Sequence, residues 1–229
     1  MAENIARVLA DAVASDPTRP LLTWYDDATG ERTELSGATL ANWVAKTGNL
    51  LVDGIALGPD DSAGVLLPPH WQTAAVLLGC WSAGLTVAEA PGPVDVLFAA
   101  ADRVGEADAW PAGERYALAL APFALPLREV PPGFADYVVE VRGHGDHFTP
   151  YGGGGPVEQD LLAEARARAT AAGLASGDRV LVDAARHPDP VDWLLAPLAA
   201  GASIVLCGNV DESRLPARRE AEKVTRDLP

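Results

Sequence analysis

The sequence predicts an α/β protein built from two pseudo-symmetric βαβ-type lobes with mainly parallel sheets. First, short apolar runs alternate with helical patterns in residues 62–90 and again in residues 157–207, which is typical of buried parallel strands and their crossover helices. Second, these two stretches match each other without a gap at one fixed offset. Third, 48% of the 229 residues are apolar, which is enough to form a sizeable core.

The N-terminal part predicts a helix, a hairpin and a second helix. Apolar side chains lie at helical spacing in residues 3–14. Two short strands at 21–25 and 32–35 follow, joined by a polar turn that contains a glycine. Ser36 is a suitable N-cap for a helix over residues 37–52. The apolar face of that helix is expected to join the core.

Two βαβ units are predicted further along the chain. The first comprises a strand, a helix closed by a glycine, and a strand, at 62–67, 70–83 and 85–90. The second comprises a helix, a strand, a helix and a strand, at 157–172, 179–183, 190–200 and 202–207. Between them, nine prolines punctuate residues 91–156, so loops and short strands such as 94–98 and 137–141 are expected there.

The two regular stretches carry the same chemical pattern 117 positions apart. The matched pairs include Asp61 with Asp178, His70 with His187, and Gly84 with Gly201. Each stretch is therefore predicted to be one copy of the same supersecondary unit. The predicted organisation within a single domain, 1–229, is a first lobe at 1–110, an irregular strand-poor connection at 111–156, a second lobe at 157–210 and a polar tail at 211–229.

The charge balance excludes some classes of partner. With 17 basic against 32 acidic residues, the formal charge is −15 at pH 7, so nucleic acid and anionic membrane surfaces are not expected to bind. The two cysteines, Cys80 and Cys207, lie inside apolar runs and are predicted to be buried thiols in a reducing compartment. Because the N-terminus shows no secretory pattern, a cytoplasmic location is expected.

A set of turn and strand patterns occurs in an order that carries a family resemblance. It comprises a proline-bounded start, a Thr-Glu-Leu step into a helix, a Gly-x-x-x-Gly turn, a Val-bearing strand followed by Pro, and a helix ending in Ala-Gly, at 17–22, 33–35, 54–58, 65–68 and 74–84. A Gly-Asp turn, a strand and an Ala-Gly helix end recur over 173–202. This order resembles the acyl-adenylate-forming enzymes, namely acyl-CoA synthetases, adenylation domains and luciferases. The resemblance implies the fold of their N-terminal domain more than their activity, because the matching positions are mostly packing and turn positions.

The resemblance also shows what is missing. The family's phosphate loop is rich in Ser, Thr and Gly and ends in Pro-Lys-Gly, because amides and hydroxyls wrap the ATP phosphates while the lysine offsets their charge. The corresponding place, 148–156, has one such hydroxyl, Thr149, and no lysine. The adenine motif, the ribose-binding Asp and the lid domain have no counterpart in the sequence. The resemblance therefore implies a truncated, degenerate relative, nearest to a small group of short single-domain relatives from GC-rich bacteria, with no catalytic residue.

A run of four glycines before a predicted helix has two interpretations. Glycines at a helix N-terminus allow close approach of a phosphate, which would make this a degenerate phosphate loop for ATP or AMP. The residues of that loop would be Thr149, Gly152, Gly153, Gly154 and Gly155. An uninterrupted glycine run is equally typical of a flexible linker, and the nearby Asp146 and Glu158 disfavour phosphate.

The histidines indicate no catalytic or metal site. His144 and His147 flank Asp146 in a glycine-bearing loop, and two imidazoles without further ligands favour a solvated loop over a metal centre. His70 and His187 each follow a predicted strand, at the edge where open α/β sheets bind ligands. As equivalent points of a repeated unit, they are interpreted as loop-anchoring residues.

Two hypotheses about function remain. The leading one is a catalytically inactive, adenylate-forming-like protein that acts as a binding or interaction module, through a protein partner or by self-association, without a resident cofactor. The alternative is residual binding or processing of a nucleotide, an acyl-adenylate or a CoA-like ligand, as an AMP-binding ligase-like protein.

Overall fold

The architecture is α/β, with two separate sheets. The computed structural model describes residues 4–151 and 155–228. The strands are β1 (Pro20–Asp26), β2 (Glu31–Ser36), β3 (Ser62–Leu66), β4 (Thr86–Val87), β5 (Val94–Ala100), β6 (Ala112–Leu118), β7 (Ala135–Asp136), β8 (Arg179–Asp183), β9 (Ser203–Gly208) and β10 (Arg226–Asp227). The α-helices are α1 (Ile5–Ser15), α2 (Gly37–Asn49), α3 (Trp71–Ser82), α4 (Tyr137–Arg142), α5 (Pro156–Ala171), α6 (Ala196–Ala199) and α7 (Leu215–Ala221). Turns of 3₁₀ or π geometry lie at Leu50–Gly54, Ala101–Ala109, Pro122–Ala124, Val191–Leu195 and Glu212–Arg214.

Unit 1 contains a sheet in which all neighbouring strands are parallel. The unit comprises Ala41–Pro68 and Gln72–Gly155, together with the start of α1. Its strand order is β4-β3-β5-β6-β7. The central strand β5 is apolar and buried over most of its length, because helices and loops cover both faces of a parallel sheet. Phe98 on β5 packs against the rings of Tyr116 and Tyr137.

Unit 2 contains a sheet that is parallel except for one hairpin. The unit comprises Arg7–Leu40, Pro69–Trp71 and the chain from Pro156 onward. Its strand order is β10-β8-β9-β1-β2, and β1 and β2 form the antiparallel pair. The central strand β9 is buried along its whole length.

The predicted repeat is confirmed at the level of strand register. In unit 1, Ser62 of β3 pairs with Thr86 of β4, and in unit 2, Arg179 of β8 pairs with Ser203 of β9, again 117 positions later. The turns before the strands also match: the Gly58 amide donates to Asp61 Oδ2 at 2.7 Å, and the Ala175 amide donates to Asp178 Oδ2 at 2.8 Å. Gly84 and Gly201 both adopt left-handed backbone, with φ of 79° and 75°.

The segments that build each unit differ from the predicted lobes. The hairpin β1–β2, assigned to a first lobe at 1–110, pairs instead with β9 in unit 2. The predicted strand-poor connection at 111–156 supplies β6 and β7 to unit 1. The tail at 211–229 supplies α7 and β10 to unit 2. Hydrophobic patterning identifies strands but carries no information on which distant strand each one pairs with.

One predicted strand is a helix. The apolar run at 137–141 lies in α4, although its Tyr and Val residues favour strands. The Asp136 carboxylate accepts hydrogen bonds from the amides of Val138 and Val139, which caps the first helical turn. The Asp136 cap thus stabilises a helix in a segment whose apolar residues intrinsically favour a strand.

Both cysteines are buried, as the sequence predicts. Burial raises the pKa of the Cys80 thiol to about 12, so it stays protonated. Within the described residues, no helix has the length and hydropathy that a membrane span requires.

Candidate functional site

The sequence-predicted site residues belong to the loop between α4 and α5. Thr149 and Gly155 are exposed there. Gly152, Gly153 and Gly154 lie outside the described residues, so the phosphate-loop assignment stays a prediction. The described part of the loop, 143–151, belongs to unit 1, where its contacts with α2 fix its course.

Two polar side chains of α2 hold this loop through its carbonyl oxygens. The Lys46 ammonium donates to the carbonyl of His144. The Asn49 amide donates to the carbonyls of Gly145 and His147, at 2.8 Å and 2.9 Å. Lys46 and Asn49 are three positions apart and therefore lie on the same face of the helix. The described loop backbone is thus fastened to α2 by three donated hydrogen bonds.

Close packing against glycines fixes the same loop. A Cβ atom on Gly48 would lie 2.9 Å from the Phe148 ring, closer than ordinary packing allows. A Cβ atom on Gly54 would lie 3.1 Å from the imidazole of His144. At the end of the described loop, the Tyr151 amide donates to the carbonyl of Ser82 at 3.2 Å. The absence of side chains at these glycines is what lets the loop approach.

The loop carries little positive charge. Residues 143–155 contain no Lys or Arg, and Asp146 adds a carboxylate. The nearest fixed ammonium, Lys46, already donates to a carbonyl. Two imidazoles, His144 and His147, belong to the loop, but no group of three His, Cys, Asp or Glu side chains within residues 4–151 and 155–228 is arranged to hold a metal ion.

A shallow cavity of about 430 Å³ lies beside the end of this loop in unit 1. Its lining consists of Val52, Ala56, Leu57, Gly58, Pro59, Asp60, Asp61 and Tyr151. The only charged side chains in that lining are two carboxylates, so the cavity disfavours an anionic ligand.

The two repeated histidines have different surroundings. His70 is 3% exposed, and its ring lies 4.8 Å from the Trp24 ring in an edge-to-face arrangement. Burial lowers the pKa of His70 to about 3, so the imidazole is neutral near pH 7. His187 is half-buried, and its amide donates to the carbonyl of Asp183 at the end of β8. His70 thus acts as a packing residue in the described contacts.

A polar network around the buried Glu222 carboxylate in unit 2 was not predicted from the sequence. Glu222 accepts hydrogen bonds from Tyr25, Arg32 and Arg179. Burial by itself would raise the pKa of Glu222, but these bonds lower the pKa to about 2. Thr23 accepts another bond from the Arg179 guanidinium at 2.8 Å. The network ties the C-terminal segment that carries Glu222 to the sheet of unit 2.

Comparison with known proteins identifies the family. A protein of Mycobacterium tuberculosis described as a TIGR03089 family protein is 48% identical over 233 residues, which is 96% of this chain and 96% of that protein. The chain belongs to the TIGR03089 family. No protein-family model matches this TIGR03089 chain.

Solved structures with the same fold are adenylate-forming enzymes. The Brucella canis acyl-CoA synthetase aligns with a TM-score of 0.76 and 19% identity, covering 99% of this chain and 47% of the synthetase. The anthranilate CoA ligase AuaEII, in complex with anthranoyl-AMP, aligns with a TM-score of 0.74 and 13% identity, covering 99% and 49%. The N-terminal domain of FACL13 from Mycobacterium tuberculosis aligns with a TM-score of 0.66 and 12% identity, covering 98% and 62%.

These comparisons confirm the resemblance and the fold class that the sequence predicts. The TIGR03089 chain has the α/β fold of the N-terminal domain of adenylate-forming enzymes and spans about half the length of the first two enzymes. At such low identity the likeness is one of fold, and activity has to be argued from the residues.

Proposed function

We propose that this chain is a noncatalytic member of the adenylate-forming fold and works as a binding module through protein contacts. The observation that carries the proposal is the chemistry of the loop at 143–155. It has no Lys or Arg of its own, and Lys46 and Asn49 of α2 occupy three of its carbonyls.

Adenylation requires stabilisation of the negative charge that develops on the α-phosphate of ATP. Each preorganised hydrogen-bond donor that stabilises such charge lowers the activation barrier by about 3–4 kcal/mol, which is a factor of roughly 10²–10³ in rate. The loop offers Thr149 as a hydroxyl, but two carboxylates in the adjoining cavity, Asp60 and Asp61, oppose an anion. Moving Lys46 toward a phosphate would break its bond to the His144 carbonyl. The loop is therefore built for structural attachment rather than for phosphate chemistry.

Pyrophosphate exchange tests the absence of adenylation. The chain is incubated with ATP, Mg²⁺, labelled pyrophosphate and a panel of aliphatic and aromatic carboxylic acids, beside an acyl-CoA synthetase that has an intact Pro-Lys-Gly loop. We expect exchange at the background level for the wild type, Thr149→Ala and Lys46→Met alike. Exchange above background that falls in Thr149→Ala or Lys46→Met would overturn the proposal.

Thermal unfolding with added ligands tests the alternative of residual ligand binding. ATP with Mg²⁺, AMP, CoA and a nonhydrolysable acyl-adenylate analogue are each added in excess. A ligand present at 100 times its Kd stabilises the folded state by about 2.7 kcal/mol. We expect no shift of the midpoint. A shift that disappears in Thr149→Ala would instead assign a nucleotide or acyl-adenylate site to this loop.

A further inference from the structure

Unit 1 displays a concentration of exposed apolar side chains in one short stretch. Phe123 is 86% exposed, Leu125 54%, Val130 42% and Val139 56%. We call these four residues the 123–139 patch. Scattered single apolar side chains are normal on a protein surface, but several within one small region mark an interaction site.

Hydrogen bonds connect the two ends of the patch in space. The Arg142 guanidinium on α4 donates to the carbonyls of Phe123 and Ala124, at 3.3 Å and 2.9 Å. Val139 and Arg142 are three positions apart on α4 and so lie on the same face of that helix. The face that carries Val139 therefore lies beside the segment that carries Phe123.

The backbone beneath the patch is fixed rather than loose. Asp136 is 6% exposed, and its carboxylate accepts hydrogen bonds from the Leu127 amide at 2.6 Å and from the Val138 amide at 2.8 Å. One buried side chain thus joins the segment before Val130 to the start of α4. Because the surface is already ordered, a partner loses less affinity to conformational entropy when it binds.

The turn that presents Phe123 uses unusual backbone conformations. Leu120, Phe123 and Ala124 have φ of 50°, 59° and 48°, in the left-handed region that disfavours residues other than glycine. A phenylalanine held in this conformation while its ring faces solvent contributes little to folding. Strain of this kind concentrates where a surface is used.

The size and charge of the surface decide between possible occupants. The patch has four exposed apolar side chains, whereas a stable protein–protein interface involves about 20–30 residues and buries about 800 Å² per partner. A second copy would also bring together two chains of formal charge −15. The same charge disfavours an anionic membrane surface. A short segment of another protein fits both constraints.

The charge of the whole chain specifies the chemistry of that segment. Glu129 and Glu140 are exposed beside Val130 and Val139 and are balanced by the guanidinium groups of Arg128 and Arg142, because hydrogen bonds to neutral carbonyls leave the charge of Arg142 in place. The formal charge of −15 on the chain therefore favours a basic partner. We infer that the 123–139 patch docks a short segment of a partner protein that carries aromatic or branched aliphatic anchors flanked by Lys or Arg. This inference rests on the proposed function and names the surface and the partner class.

A matched pair of valines provides the test. Val139 and Val157 are both 56% exposed and both lie on helices, but only Val139 belongs to the patch. Displayed libraries of short random peptides are selected on the purified full chain, and the enriched peptides are titrated against Phe123→Ser, Val139→Ser and Val157→Ser. Thermal midpoints of the variants are measured first and should be unchanged, since all three positions are exposed.

The expected peptides have apolar anchors and a net positive charge. They should bind the wild type and Val157→Ser equally, and bind Phe123→Ser and Val139→Ser roughly tenfold or more weakly, because anchor residues dominate small interfaces. Equal affinity for all variants, or no enriched peptide, would refute the inference.

Two further outcomes would also overturn the choice of partner. If sedimentation shows a wild-type dimer that is lost in Phe123→Ser, the occupant of the patch is a second copy of this chain. If the wild type binds phosphatidylcholine vesicles and Phe123→Ser does not, the occupant of the patch is a membrane surface. The proposed function fails separately, through pyrophosphate exchange, which none of these measurements monitors.

Discussion

The internal repeat allows a stability prediction with its own built-in comparison. Ala56 and Gly173 occupy equivalent positions, 117 residues apart, and both close a helix in left-handed backbone, with φ of 58° and 65°. Similar helix-closing bonds follow them, since the Leu57 amide donates to the Leu51 carbonyl and the Leu174 amide donates to the Ala169 carbonyl, each at 2.9 Å, with the acceptor shifted by one position between the copies. The second copy uses glycine at this position, whereas the first copy does not.

Replacing Ala56 by glycine should therefore stabilise the protein. The left-handed conformation costs a non-glycine residue roughly 1–2 kcal/mol, while the extra freedom of glycine in the unfolded chain costs about 0.4–1 kcal/mol. The difference favours Ala56→Gly by about 0.5–1 kcal/mol, and Gly173→Ala should lose a similar amount. Both residues are exposed, so packing changes do not obscure the effect.

Urea unfolding followed by circular dichroism measures the free energy of unfolding of the wild type, Ala56→Gly and Gly173→Ala. The expected change in the thermal midpoint is about 2–4 °C for each kcal/mol in a chain of this size. Gly105 is the control, because it lies in the 3₁₀ helix Ala101–Ala109 without left-handed backbone and a Cβ there would meet no atom within 4 Å. Gly105→Ala should stabilise the protein. If Ala56→Gly lowers stability, the reasoning from backbone conformation is refuted.

Three further results are expected. Burial lowers the pKa of His70 to about 3, whereas its pKa in the unfolded chain is 6.5, so on acidification the unfolded chain takes up a proton before the folded protein does. The free energy of unfolding of the wild type should therefore fall by about 2 kcal/mol between pH 6.5 and 5. Urea unfolding of His70→Leu should not show this fall, and the same pH dependence in that variant as in the wild type would contradict the prediction. Glu222→Gln should cost about 3 kcal/mol at pH 7, because Arg179 keeps a buried charge. That cost should shrink as pH falls from 4.5 toward 2, the range over which Glu222 is protonated in the unfolded chain but still ionised in the folded one, and a cost independent of pH argues against the ion pair. Gly48→Ala should cost about 1–2 kcal/mol by displacing the Phe148 ring, and combining it with Phe148→Ala should relieve part of the cost in a double-mutant cycle, whereas strict additivity would exclude that contact.

Local sequence signals were sufficient for the repeated units. Apolar runs of strand length, an aspartate before each strand and a glycine after each crossover helix place β3, β4, β8 and β9 correctly, because these features depend on residues close together in the chain. The offset between the copies predicts even the strand register, since one pattern folds twice in the same way.

Features that depend on distant partners were beyond the sequence. The pairing of β1 with β9 requires the shape of the whole unit, and no property of residues 20–26 specifies it. The conversion of residues 137–141 into α4 depended on the cap at Asp136, a single side chain that competes with the strand preference of its neighbours.

The phosphate-loop assignment stays a prediction. It rests on the family resemblance, and Thr149 is exposed in the loop between α4 and α5. The anchoring by Lys46 and Asn49 was missed, although a Lys and an Asn three positions apart on one helix were a usable signal. Which carbonyl such side chains reach is decided by tertiary folding.

The pairing of β1 with β9 has a consequence for synthesis of the chain. Leu22 and Ile204 are register partners, so 182 positions separate them, and at ribosomal rates of about 5–20 residues per second the second strand emerges roughly 10–35 s after the first. During that interval the edge of β1 that pairs with β9 has no partner strand, and the side chains of Leu21, Leu22 and Trp24, which are buried in the folded protein, lack that part of the sheet. Nascent chains of this protein are thus expected to depend on ribosome-associated chaperones until the last third of the sequence has been made.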